Sequence, residues 1–277
     1  MNQETMQRYK VLGEFGSVDE RRVERCCMVT GDLDTIHELK PHPALGGGMV
    51  YALRGQRVSF LSGRAAYWHA KRTLIVSDLH LGKIETMAAS GVPMPDGVSM
   101  RDLQRLSTLI EATQTTRVLI LGDLLHAPAG ITDRLVSQVA AWRGKHVCEF
   151  AIVPGNHDRK LHAVVDAWKL DVLPACVCEG AFGFVHDATV FTNDNPFALR
   201  PACEVLWSGH VHPVVSLRDG GGRMRLASYV VRSDSVVLPA FSEFTGGATI
   251  DHQEIVASGG RIMMIAEGRV VEFGKAR

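Results

Sequence analysis

Residues 73–83 read TLIVSDLHLGK, and this stretch decides the fold. A short β-branched apolar run breaks off at Ser77, and a carboxylate and an imidazole, Asp78 and His80, follow at once. Three more runs end the same way. VLIL at 118–121 meets Gly122-Asp123, FAIVP at 150–154 meets Gly155-Asn156-His157-Asp158, and EVLWS at 204–208 meets Gly209-His210-Val211-His212. Runs this short and apolar are expected to be strands of parallel type, buried on both faces. In open α/β sheets chemistry gathers beyond the carboxyl ends of the strands, so the four runs should deliver their polar groups to one rim.

The residue types in those clusters suit a pair of metal ions. Two cations held about 4 Å apart activate a water and clamp the attacking and leaving oxygens of an in-line displacement at phosphorus. An anion must bridge them, and Asp123 has two carboxylate oxygens to share. Asp78 and His80 would complete one position, Asn156 and His186 (in FGFVHDA) the other. His210 and His212, two apart on an extended segment, face the same side, so one can serve each metal. An oxygen and nitrogen shell without thiolate points to Mn²⁺, Fe or Zn²⁺, with Mn²⁺ placed first. His157, beside a ligand without being one, is left as a general acid for an alkoxide leaving group. Asp158 is assigned to the catalytic group, either orienting that ring or supporting the loop. Any single one of the 12 histidines is better explained as an ordinary core or surface residue. His37, His42, His69, His146, His162 and His252 are left in that class.

Elsewhere the pattern predicts α/β architecture with two sheets. VSFL and AAYW around Ser62-Gly63 read as a hairpin at a sheet edge. Leu103, Leu106, Leu109 and Ile110 within 100–113, and Leu135, Val139 and Trp142 within 131–142, have helical spacing, and 161–168 reads as a third helix. Beyond Leu173 short strand-like runs alternate with glycine-rich turns, which predicts a second, mostly antiparallel sheet with Met263-Met264 in its core. Residues 1–48, with DERRVER, Cys26-Cys27 and the hinge-like GGG at 46–48, are expected to be a poorly ordered extension or an overlong gene start, and 49–277 a single domain.

Lys and Arg balance Asp and Glu at 30 each, which argues against avid nonspecific nucleic-acid binding through a basic face. Six cysteines show no zinc-ribbon spacing and are expected to be reduced. No run approaches the ~20 apolar residues of a membrane span, so a cytoplasmic protein with no membrane partner is expected.

Taken with their order, DLH, GD, GNHD and GHVH resemble the motif set of the calcineurin-like metallophosphoesterases, from about Arg57 onward. The resemblance implies a four-layer αββα sandwich of two mixed sheets. It also implies Asp78, His80, Asp123 and His212 around one metal, Asp123, Asn156, His186 and His210 around the other, and His157 as the acid. GDLLH at 122–126 departs from the GDxxDR of phosphoprotein phosphatases and is similar to the GDLFH of double-strand-break repair nucleases. In that branch the position of His126 orients a nucleic-acid phosphate, and His126 is placed in the catalytic group on this ground. TLIVSDLHLGK, GHVHP and LPAFSEFTGG (238–247) are similar to the bacterial ligase-associated, PdeM-type phosphodiesterases. That likeness implies a phosphodiester substrate such as DNA, metal-activated hydroxide attack, and a DNA ligase and helicase as partners in repair. Two readings compete: a nucleotide or lipid-precursor pyrophosphatase, weakened by the lack of a long amphipathic insertion between His157 and His210, and a metal-free scaffold, which would have little use for Asp123, Asn156 and His157 together.

Overall fold

The computed structural model describes residues 34–38, 47–93, 95, 97–191, 203–219 and 222–273. The extension expected over 1–48 lies outside this set except for 34–38, 47 and 48.

Two sheets stack face to face. The first has eight strands laid side by side in chain order: β1 (Asp34–Glu38), β2 (Met49–Leu53), β3 (Gln56–Leu61), β4 (Ala65–Trp68), β5 (Thr73–Val76), β6 (Arg117–Leu121), β7 (Glu149–Val153) and β8 (Asp171–Val172). β1 to β5 pair antiparallel, and β5 to β8 parallel. The parallel half needs crossovers, and α1 (Lys83–Ala89), α2 (Val98–Thr113), α3 (Asp133–Arg143) and the short α4 (Val165–Trp168) lie in them. The second sheet holds β9 (Cys176–Glu179), β10 (Phe182–Val185), β11 (Val205–Ser208), β12 (Pro213–Asp219), β13 (Gly222–Val231), β14 (Ser235–Val237), β15 (Ala248–Thr249), β16 (Arg261–Ala266) and β17 (Arg269–Phe273), with α5 (His252–Ala257) between β15 and β16. It is mixed. β11 runs parallel to β10 and β14, whereas the pairings among β12, β13, β16 and β17 are antiparallel.

The period-2 alternation of a strand explains why the catalytic runs are apolar throughout. Leu74 and Val76 face the helices with Leu103, Leu106 and Trp142, whereas Ile75 faces the second sheet with Phe60, Trp207 and Met263. Both faces of β5 are therefore buried, as are those of β6. Burying a large apolar side chain contributes about 1.5–3 kcal/mol, and Phe60, Trp207 and Tyr229 are fully enclosed between the sheets. The Tyr229 hydroxyl crosses that core to the carbonyls of Leu61 and Ala65, at 2.5 and 3.0 Å. A phenol can be left there because it has a partner. Outside the second sheet Val215, Val230, Ile262 and Met264 pack with Ile255 of α5, which completes the αββα layering.

Three expectations change. The hairpin of β3 and β4 is not at the edge, because β2 carries fully buried Tyr51 and Leu53 and extends the sheet past it. The run EVLWS is a parallel strand, but of the second sheet: the shared rim spans two stacked sheets. The helix expected over 161–168 is divided, a 3₁₀ turn at Asp158–Ala163 followed by α4, because Val164 leaves helical geometry. Among the described residues no helix is long and apolar enough to cross a membrane.

Candidate metal centre

Each polar cluster begins where a strand ends and the backbone turns abruptly. Asp78, His80, Asp123, His210 and His212 all adopt left-handed φ, at 56°, 47°, 49°, 65° and 48°. Non-glycine residues are uncommon there, Asp and His less so than most, and such strain collects at functional sites. Backbone hydrogen bonds hold the turns together. The Asp78 N–H donates to the Gly122 carbonyl at 3.0 Å, and the His80 N–H to the Asp123 carbonyl at 2.9 Å. The Gly209 N–H donates to the His186 carbonyl at 3.0 Å. The first and second loops are thus laced together under one sheet, and the fourth is tied to the strand end of β10.

Two groups of ligand atoms result: Asp78, His80 and His212, and Asp123, His186 and His210, the atoms of each lying within 4.8 Å of one another. His212 Nε2 is 3.0 Å from Asp78 Oδ1, and His186 Nε2 is 3.4 Å from Asp123 Oδ2. The groups adjoin, since His186 Nδ1 is 4.0 Å from Asp78 Oδ1 and the His210 N–H donates to the Asp78 carboxylate at 3.1 Å. Asn156 joins the second group, its Oδ1 2.9 Å from His186 Nε2.

Tautomers decide whether these groups fit a cation. His186 Nδ1–H donates to the Leu121 carbonyl at 3.0 Å, and His212 Nδ1–H to the Gly246 carbonyl at 3.2 Å. A neutral imidazole so anchored presents the lone pair of Nε2. Around His186 Nε2 stand Asp123 Oδ2, Asn156 Oδ1 and, at 3.1 Å, His210 Nδ1. Acceptors facing acceptors repel unless a proton or a cation sits among them. Burial opposes a charge on His186, yet the Asp123 carboxylate, the Leu121 carbonyl and Asp78 lift its pKa to about 9. In the first group His80 Nδ1 and His212 Nε2 are buried without hydrogen-bond partners among the described residues. Burial pushes His80 down to about 4, which keeps it neutral and ready to ligate. Both groups fit a divalent cation.

Glycines make the room. A Cβ on Gly155 would strike the Asp123 carboxylate and backbone nitrogen, one on Gly209 the Asp78 carboxylate, and one on Gly122 the His186 ring. Gly155→Ala is therefore expected to displace Asp123 and weaken metal binding roughly ten- to hundredfold. Titration with Mn²⁺ in competition with a chelator checks this, and unchanged affinity would show that the close approach is not needed.

His157 lies at the rim. Its backbone N–H donates to Asp123 Oδ1 at 2.9 Å and its Nδ1–H to the His126 carbonyl at 2.7 Å. Nε2 is left facing the pocket, 3.9 Å from Asp123 Oδ2. The His126 ring stacks on it at 5.7 Å and 9°. Burial, helped by Lys83 and His157, lowers the His126 pKa. The Asp158 carboxylate accepts from the Leu125 N–H at 3.0 Å and the Gly155 N–H at 2.8 Å, contacts that brace the loop. Lys83 is the first residue of α1.

Sequence reasoning missed the part played by 239–247. Arg105 binds Asp102 at 2.9 Å and Glu243 at 2.6 Å, stacks on Phe241 and donates to its carbonyl. Arg64 donates to the Ser242 carbonyl at 2.8 Å. This pins the loop so that the Phe241 N–H meets the Ser77 carbonyl at 2.8 Å and Gly246 orients His212. The motif LPAFSEFTGG was visible, but a backbone carbonyl acting on a distant imidazole leaves no mark on residue type. Of the histidines set aside, His69 pairs with Ser59 Oγ at 2.7 Å and His146 with Ser107 Oγ at 2.9 Å.

An αββα sandwich with two adjoining histidine–carboxylate groups at its strand ends defines a metal-dependent phosphoesterase. The sequence profile of the calcineurin-like phosphoesterase family matches residues 71–214, a span that contains every residue of both groups. The chain belongs to that family. Among solved structures it is similar to the Pseudomonas putida nuclease MPE at 30% identity and TM-score 0.66, over 82% of this chain and 100% of that one. It is also similar to Yfce, a phosphoesterase from E. coli, at 17% identity and TM-score 0.36, over 70% of this chain and 88% of that one. A third match is a single mutant of Vps29 from Entamoeba histolytica, at 16% identity and TM-score 0.31, over 73% of this chain and 99% of that one. The last two carry no further weight. No curated protein matches the sequence.

Proposed function

We propose that the chain is a phosphodiesterase of the nuclease branch, acting on a nucleic-acid backbone with two divalent cations, Mn²⁺ foremost. One observation carries the reading: Asp123 faces the ligand atoms of the second group while its other oxygen fixes the loop of His157, so cation pair and acid share a single anchor. When bound, two such cations would supply charge to the phosphoryl oxygens and acidify a water. The protein's own residues do the rest. His186 and His212 are held in the tautomer that offers Nε2, Asn156 fills the second group, and His157 can hand a proton to the leaving oxygen. The His126 ring stacks on His157, and Lys83 lies near enough to His126 for its charge to act there. The likeness to a nuclease at 30% identity over most of the chain supports the substrate class.

A panel of bis-aryl phosphate, aryl monophosphate, single-stranded oligonucleotide and a nucleotide-sugar diphosphate tests this, with Mn²⁺, Fe²⁺ and Zn²⁺ compared. Turnover of the diester and oligonucleotide is expected, and is expected to vanish on chelation. Preference for the diphosphate would favour the pyrophosphatase reading instead, and absence of bound metal the scaffold. A cytoplasmic partnership with a DNA ligase and helicase is supported by the motif resemblance alone. Co-purification of the tagged chain with a ligase tests it.

A further inference from the structure

Apart from the metal centre, the chain brings three thiols to one place. Cys176 and Cys178 stand two apart on β9, an edge strand, and so share a face. Val177 between them packs into the core between the sheets. The two cysteines therefore project from the outer face, where Cys178 is exposed. Across the ladder the register partner of Cys178 is Gly183. A glycine there leaves the space of a side chain empty, and Cys203 fills it: a Cβ built on Gly183 would collide with Cys203 Sγ.

The position of one sulfur relative to the other follows. Cβ atoms of directly opposed residues lie about 4.5–5.5 Å apart. The Cys203 sulfur occupies the place of the Gly183 side chain, opposite the Cys178 Cβ on the same face of the ladder. None of the three is in a disulfide in this structure. Cys176 lies close enough to the other two to feel them, and burial together with those neighbours pushes its thiol up to about 11. Of the three, Cys178 alone is exposed and so is the first that a reagent in solution meets.

We propose that Cys178 and Cys203 form an oxidisable dithiol on the outer face of the second sheet, closed to a disulfide by small-molecule disulfides such as glutathione disulfide. In the first step the Cys178 thiolate attacks one glutathione sulfur, the glutathione S–S bond breaks, and glutathione leaves as a thiolate that takes up a proton. In the second the Cys203 thiolate attacks the Cys178 sulfur and releases the second glutathione. The protein loses two electrons and two protons, and the reagent is reduced to two thiols. The bridge would clip β9 to the entry of β11, the strand that leads to His210.

The full chain, reduced and desalted, is incubated with glutathione disulfide, alkylated and mapped by mass spectrometry without reduction. The expected product joins the peptides of Cys178 and Cys203, short of two hydrogens, while buried Cys148 remains alkylated. In Cys203→Ser the reaction should stop at a Cys178–glutathione adduct, and in Cys178→Ser Cys203 should stay reduced. Unchanged thermal midpoints of both variants separate these outcomes from misfolding. A wild-type chain that carries glutathione on Cys178 with Cys203 still alkylatable, or that bridges Cys203 to any other cysteine, overturns the proposal.

Discussion

Replacing Asp123 by Asn should abolish turnover, at least about a thousandfold in kcat/KM, while leaving the fold intact. The loss follows from charge. Asp123 is the carboxylate of the second ligand group and lies against His157, so an amide there removes one of the carboxylates that would offset two adjoining cations. Residues standing behind metal ligands cost about ten- to hundredfold when removed, and a residue of the ligand group itself must cost more. Retention of the fold follows from shape. Asn tolerates the φ of 49° found at Asp123, and its Oδ1 can still accept the His157 N–H. Far-UV circular dichroism should be unchanged while metal content, read by mass spectrometry of the purified variant, falls by at least one ion per chain. A variant within tenfold of the parent with both ions kept would remove Asp123 from the centre of the site.

The contrast between Asp123 and Asp158 shows what a sequence can convey here. Both are acidic residues just past a strand, in loops rich in glycine, and nothing in residue type separates them. In the structure one faces the ligand atoms and the other turns back to two loop N–H groups. The residues that the structure gathers were legible because a buried strand must be apolar along its length, so the first polar residue after it is conspicuous. Which sheet a strand joins was not legible: the run before Gly209 has the composition of the run before Gly122, yet β11 pairs with β10 and β14. The hairpin was placed correctly in sequence and wrongly in the sheet for a related reason, since β2 hides behind a glycine run that reads as a hinge. The left-handed φ at five ligand residues and the carbonyls of Leu121, Gly246 and His126 that set imidazole tautomers are backbone properties. They belong to no motif.

His157→Ala should behave differently from the Asp123 variant, and the difference tests the acid role directly. The Nδ1–H of His157 is committed to the His126 carbonyl, so a proton delivered to a leaving oxygen must come from Nε2, and the reactive form is the imidazolium. General-acid catalysis contributes about 10²- to 10⁴-fold. That contribution grows with the basicity of the leaving group. An aryl oxide departs readily without help, whereas a sugar alkoxide does not. The variant should therefore lose near the top of this range on an oligonucleotide and much less on a bis-aryl phosphate. Metal content should be unchanged, because no atom of His157 belongs to either ligand group. His157→Gln would keep a donor near the pocket without an exchangeable acid and should track the alanine variant. Equal losses on both substrates with both ions in place would mean that His157 positions the phosphate and protonates nothing, and depletion of metal would mean that it is a ligand.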